Sequence, residues 1–295
     1  QLGANRAPKT GRIGLTHALT PAGGVAAEFS VAMLSHTCAY LTSAAAAEEM
    51  DNDLLRARSS GMDVEIANRT EDLSVIGLMG PKSRNVLATL TQDELGSWLS
   101  VREITLAGKQ VRALRVSYVG ELGWELHVAR DEAVAVFEAL DVAGRPYGIG
   151  LYGAYAANAM RLEKGYRAWG SDLTTERSPL EAGLGYLVRH EGRDFVGRDA
   201  MLARQEAAPW DMVLLEIEAG DVDPFYAHGL WQGARSVGVV TSGAYGHRTG
   251  KVLALAYLRD ATAREGLSVD ILGQRRVARI LDHPPYDPEN ERMNQ

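Results

Sequence analysis

The chain has 295 residues, 46% hydrophobic and 23% charged, with 31 Gly and 10 Pro. So apolar a composition excludes a disordered chain, and it carries no collagen or coiled-coil bias. The 31 Lys and Arg against 38 Asp and Glu leave a net charge of −7, which argues against a general nucleic-acid binder while leaving room for one local cationic pocket for a small anion.

The first stretch reads as two strands, Ile13–Leu19 and Val25–Leu34, around the turn cluster Pro21-Ala22-Gly23-Gly24. A short strand at Ala39–Thr42 leads into a helix with Ser43 as N-cap, ending near Gly61. Pro81 at the first helical position opens a helix over Lys82–Leu90. Ile104–Leu106 and Val111–Val116 read as a hairpin about Gly108-Lys109, Trp124–Val128 as a strand, and Asp131–Leu140 as an amphipathic helix closed near Gly144. Ala154–Glu163 is a further helix stopped by Gly165, and the capping box Ser178-Pro179-Leu180-Glu181 starts a short helix interrupted by Gly183 and Gly185.

Composition shifts at Ala207-Ala208-Pro209. Beyond it come strands at Met212–Ile217, Ser236–Thr241, Val252–Leu258, Leu267–Ile271 and Arg276–Leu281, the pattern of a small all-β barrel. Thr241-Ser242-Gly243-Ala244-Tyr245-Gly246 reads as a hairpin loop between two of them, and the Pro-rich tail Pro284–Pro288 cannot extend a ladder. The expected architecture is α+β: residues 1–208 in a mixed sheet and helix domain, residues 209–295 in a C-terminal β-barrel.

The single cysteine, Cys38, excludes an internal disulfide and a cysteine-based zinc cluster. In the mostly apolar run TCAYL it reads as a buried thiol. The seven histidines fall nowhere near metal-ligand spacing, so no metal is expected. No phosphate loop or nucleophile elbow is present, and Gly148-Ile149-Gly150 lacks the rest of a dinucleotide fingerprint. No segment approaches the ~18 apolar residues of a membrane span, and no signal segment opens the chain. A reducing compartment follows, cytoplasmic or, in a eukaryote, the mitochondrial matrix. The chain opens on Gln1 and reaches its first strand by Ile13, so a piece of a longer polypeptide is expected.

Three places could carry chemistry. In SYVGELGWELHV, Trp124, Leu126 and Val128 share a core-facing side, which puts Glu125 and His127 on the other. That other side is either simply wet or a ligand pocket. Gly there lets a flat ring approach the backbone, and a carboxylate can take two N–H bonds from a guanidine-like ring edge. Arg161 complements the helix dipole, pairs with Glu163 or Glu181, or binds a ligand carboxylate. Glu28 interrupts an apolar strand and lies at a sheet edge or in a cleft, where burial suits it to proton traffic. Tyr166 and Trp169 serve packing and stacking equally well.

These segments together resemble the folate-dependent aminomethyltransferase family, founded on the glycine-cleavage T-protein. The match runs from about residue 11 to the C-terminus through the Gly-Gly strand, SYVGELGWELHV, AMRLEKGYRAWGSDLTTERSPLEAGLGYLV, DFVGRDAML and GVVTSGAYGHRTGKVLALAYL. GRIGLTHALTPAGGV and the ending PPYDPENERM are most similar to the C-terminal folate domain of dimethylglycine and sarcosine dehydrogenases.

The resemblance implies tetrahydrofolate as cofactor and capture of a one-carbon unit from an oxidised N-methyl amine as 5,10-methylenetetrahydrofolate. FAD would belong to a flavin domain upstream of this sequence, and the partners would be the folate, the one-carbon donor and that domain. Tyr118 and Glu125 are implied to contact the pterin, Arg161 to bind folate, and Tyr286 to lie near the ligand. Glu28 takes the catalytic acid position, where the family usually has Asp, often second of an acid pair; here the pair position reads Ala27-Glu28. A free-standing aminomethyltransferase and a non-catalytic folate-binding or regulatory relative are the alternatives.

Overall fold

The computed structural model describes residues 3–207, 210–259 and 264–295. It divides into two units. One comprises Leu15–Phe29 and Ala154–Pro288 with the N-terminal residues up to Arg6, and the other Ala7–Gly14, Ser30–Gly153 and Glu289–Gln295. The boundary expected at residues 208 and 209 lies outside the described residues.

Three strands form the first sheet: β1 (Ile13–Leu19), β2 (Val25–Met33) and β3 (Ala39–Thr42), in the order β1-β2-β3. The turn between β1 and β2 is closed by Gly23 N–H to Thr20 O at 2.9 Å and Thr20 N–H to Gly24 O at 2.8 Å. Gly23 has φ +85°, a left-handed conformation that glycine adopts without steric cost. Cys38 is exposed rather than buried. It sits in the turn where Leu34 N–H bonds Cys38 O, ahead of the short edge strand β3, while Tyr40 two residues on packs against Ile13, Ala32, Val101 and Leu114.

The second unit holds α1 (Glu48–Ser59), β4 (Leu73–Met79), α2 (Ser83–Ala88), β5 (Val101–Leu106), β6 (Lys109–Leu114), β7 (Gly123–Ala129) and α3 (Ala133–Gly144). Its four strands form an antiparallel sheet in the order β4-β7-β6-β5. Trp124, Leu126 and Val128 are buried in one core with Val86, Leu87, Val136 and Leu140 of α2 and α3. The indole N–H of Trp124 donates to Leu95 O at 3.0 Å, so the largest fully buried ring leaves no polar atom unpaired.

Four local expectations are corrected here. Ser43 does not cap the helix: a 3-10 turn at Ala45–Ala47 intervenes, α1 starts at Glu48, and neither start has a side-chain cap bond. The second helix begins after Pro81, at Ser83. The β5–β6 hairpin turns on Ala107-Gly108, with φ +50° and +78°, and pairs Leu106 with Lys109. Strand β4 was not anticipated, because Gly77 breaks its alternation.

The first unit contributes α4 (Ala154–Glu163), α5 (Arg198–Glu206) and six strands: β8 (Asp211–Ile217), β9 (Gly229–Gln232), β10 (Arg235–Gly246), β11 (Lys251–Leu258), β12 (Leu267–Ile271) and β13 (Gln274–Leu281). These close a barrel in the order β10-β11-β8-β13-β12-β9, which leaves no strand edge unpaired. Every residue of β11 from Val252 to Leu258 is buried. Val252, Ala254, Ala256 and Leu258 fill the barrel, while Leu255 and Tyr257 enter a second core with Leu162 of α4, Leu173 and Met201.

Thr241 to Gly246 is strand rather than hairpin loop, because β10 continues through a bulge between Val240 and Ser242. A Cβ on Gly243 would meet Pro224 O at 2.2 Å, so the glycine there marks a close backbone approach. The capping box at Ser178 does form: Ser178 N–H to Glu181 Oε2 is 2.8 Å and Glu181 N–H to Ser178 Oγ is 3.2 Å. It caps a series of turns instead of a helix, with only a 3-10 turn at Gly185–Leu187 following. No helix among the described residues is long and apolar enough to cross a membrane.

Candidate functional site

Glu125 stands on the face of β7 opposite the Trp124 core. Its side chain is 32% exposed, and it makes no hydrogen bond among the described residues. Its cross-strand neighbours are Gly77 on β4 and Leu114 on β6, so the β4 side presents no side chain of its own. A Cβ at Gly77 would lie 3.3 Å from the hydroxyl of Tyr152. Burial raises the Tyr152 phenol above its ordinary pKa, and the charge of Glu125 adds to the rise. A carboxylate, a bare glycine and a phenol thus share one small area.

This face is not simply wet. His127, two residues along β7, is 3% exposed. Its Nδ1 lies 2.9 Å from the Tyr40 hydroxyl and its Nε2 lies 3.6 Å from Glu125 Oε2. Burial raises the Tyr40 pKa, with Arg112 opposing and Glu125 reinforcing. The Arg112 guanidinium sits 4.5 Å from the Tyr40 ring centroid and bonds Glu103 at 2.6 Å. The pair Tyr40–His127 backs the carboxylate on one side. Tyr118, in the loop ahead of β7, is 42% exposed.

Glu28, on β2, meets a histidine. His17 Nε2 lies 2.8 Å from Glu28 Oε2. The histidine is 1% exposed and the glutamate 22%, so the acid is at neither a fully wet edge nor a closed core. Ala27 and Phe29, its neighbours, are buried on the opposite side of the strand.

Arg161, near the end of α4, is 3% exposed, and all five of its N–H groups are engaged. Nη1 donates to Asp172 Oδ2 at 2.6 Å and Tyr166 O at 2.8 Å. Nη2 donates to Ser242 Oγ at 2.7 Å and Asn158 Oδ1 at 2.8 Å, and Nε to the same Oδ1 at 3.0 Å. Its partner is Asp172, not Glu163 or Glu181. Glu163 instead receives the backbone N–H groups of Arg248 and Thr249 at 2.9 and 2.8 Å. Lys164 pairs with Asp287 at 3.4 Å. Tyr286 N–H donates to Glu163 O at 3.2 Å, and the Arg248 guanidinium lies 5.6 Å from the Tyr286 ring.

Of the five residues singled out by sequence, Glu28, Arg161 and Tyr286 belong to the first unit, Tyr118 and Glu125 to the second. Sequence reasoning missed Tyr40, Tyr152 and Asp172 altogether, and it left His17 and His127 without partners. Only the alternation of β7 could have flagged His127; the others join through tertiary contacts.

This fold is that of an aminomethyltransferase. The glycine cleavage system aminomethyltransferase T of Bartonella henselae superposes with a TM-score of 0.84 over 95% of this chain and 77% of that one, at 23% identity. The GCVT N-terminal domain model matches residues 1–192, and the glycine cleavage T-protein C-terminal barrel domain model matches residues 211–287. An aminomethyltransferase of Streptomyces coelicolor is 32% identical over 288 residues, 94% of this chain and 77% of that protein. The chain belongs to the glycine-cleavage T-protein family. The mitochondrial dimethylglycine dehydrogenase of Mus musculus is 37% identical over 291 residues, 95% of this chain but 34% of its own length. The mitochondrial sarcosine dehydrogenase of the same organism is 32% identical over 245 residues, 26% of its length. The chain therefore spans about a third or less of these dehydrogenases.

Proposed function

We propose that the chain is a tetrahydrofolate-dependent one-carbon-transfer enzyme. In this reading it captures a methylene unit from an oxidised N-methyl amine and yields 5,10-methylenetetrahydrofolate. The observation that carries the reading is Glu125, a partly exposed carboxylate with no hydrogen bond among the described residues, paired across the sheet with Gly77. A pterin edge offers adjacent N–H donors in one plane, and a carboxylate accepts two of them side by side. The Glu125 carboxylate and the Tyr152 hydroxyl, which lies 3.3 Å from where a Gly77 Cβ would stand, are polar groups of the kind such an edge takes, so the residues present fit the group.

Tetrahydrofolate would supply amine nitrogens as nucleophiles toward the one-carbon electrophile. The chain's own work is orientation and the handling of one proton. Glu125 holds the pterin edge, with Tyr118 and Tyr152 beside it as packing or hydrogen-bonding groups. Glu28 is the proposed proton acceptor. Holding reactants in place is worth up to roughly 7–11 kcal/mol in the best cases, so little covalent participation is needed. Arg161 reaches a folate oxygen only by giving up Ser242 or Asn158, and Tyr286 is assigned a place near the ligand by resemblance. Residues 1–208 are proposed as the folate-binding domain and 209–295 as the barrel domain. The relatives named as mitochondrial support a matrix setting, with a cytoplasmic one as the alternative; a flavin-bearing portion acting upstream is proposed from the resemblance alone.

The relative from Streptomyces coelicolor favours a second reading, since 77% of its length is covered: a free-standing aminomethyltransferase. Product analysis with an iminium donor and with an aminomethylated carrier separates the two. The first test is calorimetric titration of the chain with tetrahydrofolate. Binding is expected in the wild type and a loss of at least tenfold in Glu125→Ala. An unchanged affinity removes the pterin assignment.

A further inference from the structure

We infer that His17 is a positioning residue: a fixed N–H donor that aims the Glu28 carboxylate. This rests on the reading of Glu28 as proton acceptor. Three observations converge on it. The contact is short, 2.8 Å from His17 Nε2 to Glu28 Oε2. The imidazole is 1% exposed while the carboxylate is 22% exposed, so the donor is locked by packing and the acceptor reaches solvent. Glu28 Oε1 makes no hydrogen bond among the described residues, which leaves one oxygen tied and the other free.

The tautomer follows from burial. His17 Nδ1 is buried with no hydrogen-bond partner. A proton there would be a buried donor without an acceptor, whereas a bare lone pair costs less to leave unpaired. The ring therefore carries its proton on Nε2, where the carboxylate receives it. A glutamate side chain has three rotatable torsions, and a proton acceptor works only when held within hydrogen-bond reach of the proton it takes. Tying Oε2 to a packed imidazole removes most of that freedom and presents Oε1 outward. The neighbour on β2 that could have shared this task is Ala27, buried at 1% exposure and without a polar group.

In the transfer itself the attacking amine nitrogen forms its bond to the electrophilic carbon, and the iminium π pair returns to the donor nitrogen. The proton shed by the attacking nitrogen goes to Glu28 Oε1, which returns it to the donor nitrogen as the carbon–donor bond breaks, so the donor leaves as a neutral amine; the second folate amine would then close on the methylene and release its proton to solvent. His17 neither gains nor loses a proton in this step.

The test uses the whole chain with tetrahydrofolate and an iminium donor, comparing wild type, E28Q, H17F and H17Q. The phenyl ring fills the volume without a donor, and glutamine restores an N–H. The expected result is a kcat fall of tenfold or more in H17F, tetrahydrofolate affinity within twofold of wild type, and substantial recovery in H17Q. Wild-type turnover in H17F, or no recovery in H17Q beyond H17F, overturns the inference while leaving Glu28 in place. Wild-type turnover in E28Q overturns the reading of Glu28 and the inference with it. A separate measurement does not depend on the variants folding: nitrogen-15 NMR of His17 should show a protonated Nε2 and a bare Nδ1. The opposite tautomer refutes the proposal outright.

Discussion

Arg161 and Asp172 form an ion pair at 2.6 Å with side-chain exposures of 3% and 0%. Neither charge touches water, and each is satisfied by further bonds. Asp172 Oδ1 receives the hydroxyls of Thr241 and Ser242 at 2.5 Å each, and Oδ2 receives Ala168 N–H at 2.8 Å. Removing one member leaves the other charged and uncompensated, at a cost of about 3–5 kcal/mol. Arg161→Ala and Asp172→Ala should each lower the urea unfolding midpoint sharply. The double variant Arg161→Ala with Asp172→Ala should lose less than the two single losses added. Additive losses in that cycle would show that the charges do not depend on each other.

Gly24 tests the turn that precedes Glu28. A Cβ there would lie 1.8 Å from Thr175 O, a backbone atom that cannot step aside. Val25 N–H bonds Thr174 O and Arg177 O at 3.1 and 2.9 Å in the same place. Gly24→Ala should destabilise the chain by more than the ~1 kcal/mol typical of a point change, read as a lower melting temperature. A melting temperature equal to wild type would mean the close approach is absent in solution.

Gly77 should behave in the opposite way. Its φ is not in the left-handed region, and the nearest atom to an added Cβ is the tip of Tyr152. Gly77→Val should therefore fold normally while crowding the ground beside Glu125. Tetrahydrofolate affinity is expected to drop at least tenfold, about 1.4 kcal/mol, with the melting temperature nearly unchanged. Retained affinity would place the pterin elsewhere.

Asp51 gives a pH signature. Burial raises its pKa, against a smaller lowering by Ser43, and its exposure is only 4%. The folded chain then holds this proton more tightly than the unfolded chain. The group favours the folded state at low pH, and that contribution is lost as pH rises through the raised value. Asp51→Asn should melt higher than wild type at pH 7, with the gap closing as the pH falls below about 4, near the unperturbed value. A gap independent of pH would assign the effect to something other than ionisation.

What the sequence revealed followed from local rules. The span of α4 matches its periodicity from Ala154 to Glu163, and Gly165 stops it with φ +64°. Most barrel strands announced themselves as apolar or alternating runs separated by short glycine turns. The two acids of the proposed site, Glu28 and Glu125, stood out in the sequence against apolar strands.

Their partners were not legible. His17 and Glu28 meet through the packing of β1 beside β2, and Tyr40 reaches His127 across 87 positions. Such pairings depend on sheet register and side-chain burial, which no local window carries. The same limit explains Thr241 to Gly246, whose glycines look like a loop until Pro224 is seen against Gly243.

The end of α4 bears on how this protein could be cut. Within about one helical turn, Arg161 donates to Ser242, Glu163 receives Arg248 and Thr249, and Lys164 pairs with Asp287. All of these anchor points come from beyond residue 240. A fragment stopping at the compositional break would lose the Ser242 bond of Arg161, which keeps Asp172, and would take the Arg248 and Thr249 donors away from the buried Glu163 carboxylate. The barrel is therefore not a detachable module: separating it by proteolysis or recombinant truncation should yield an insoluble helix-bearing half.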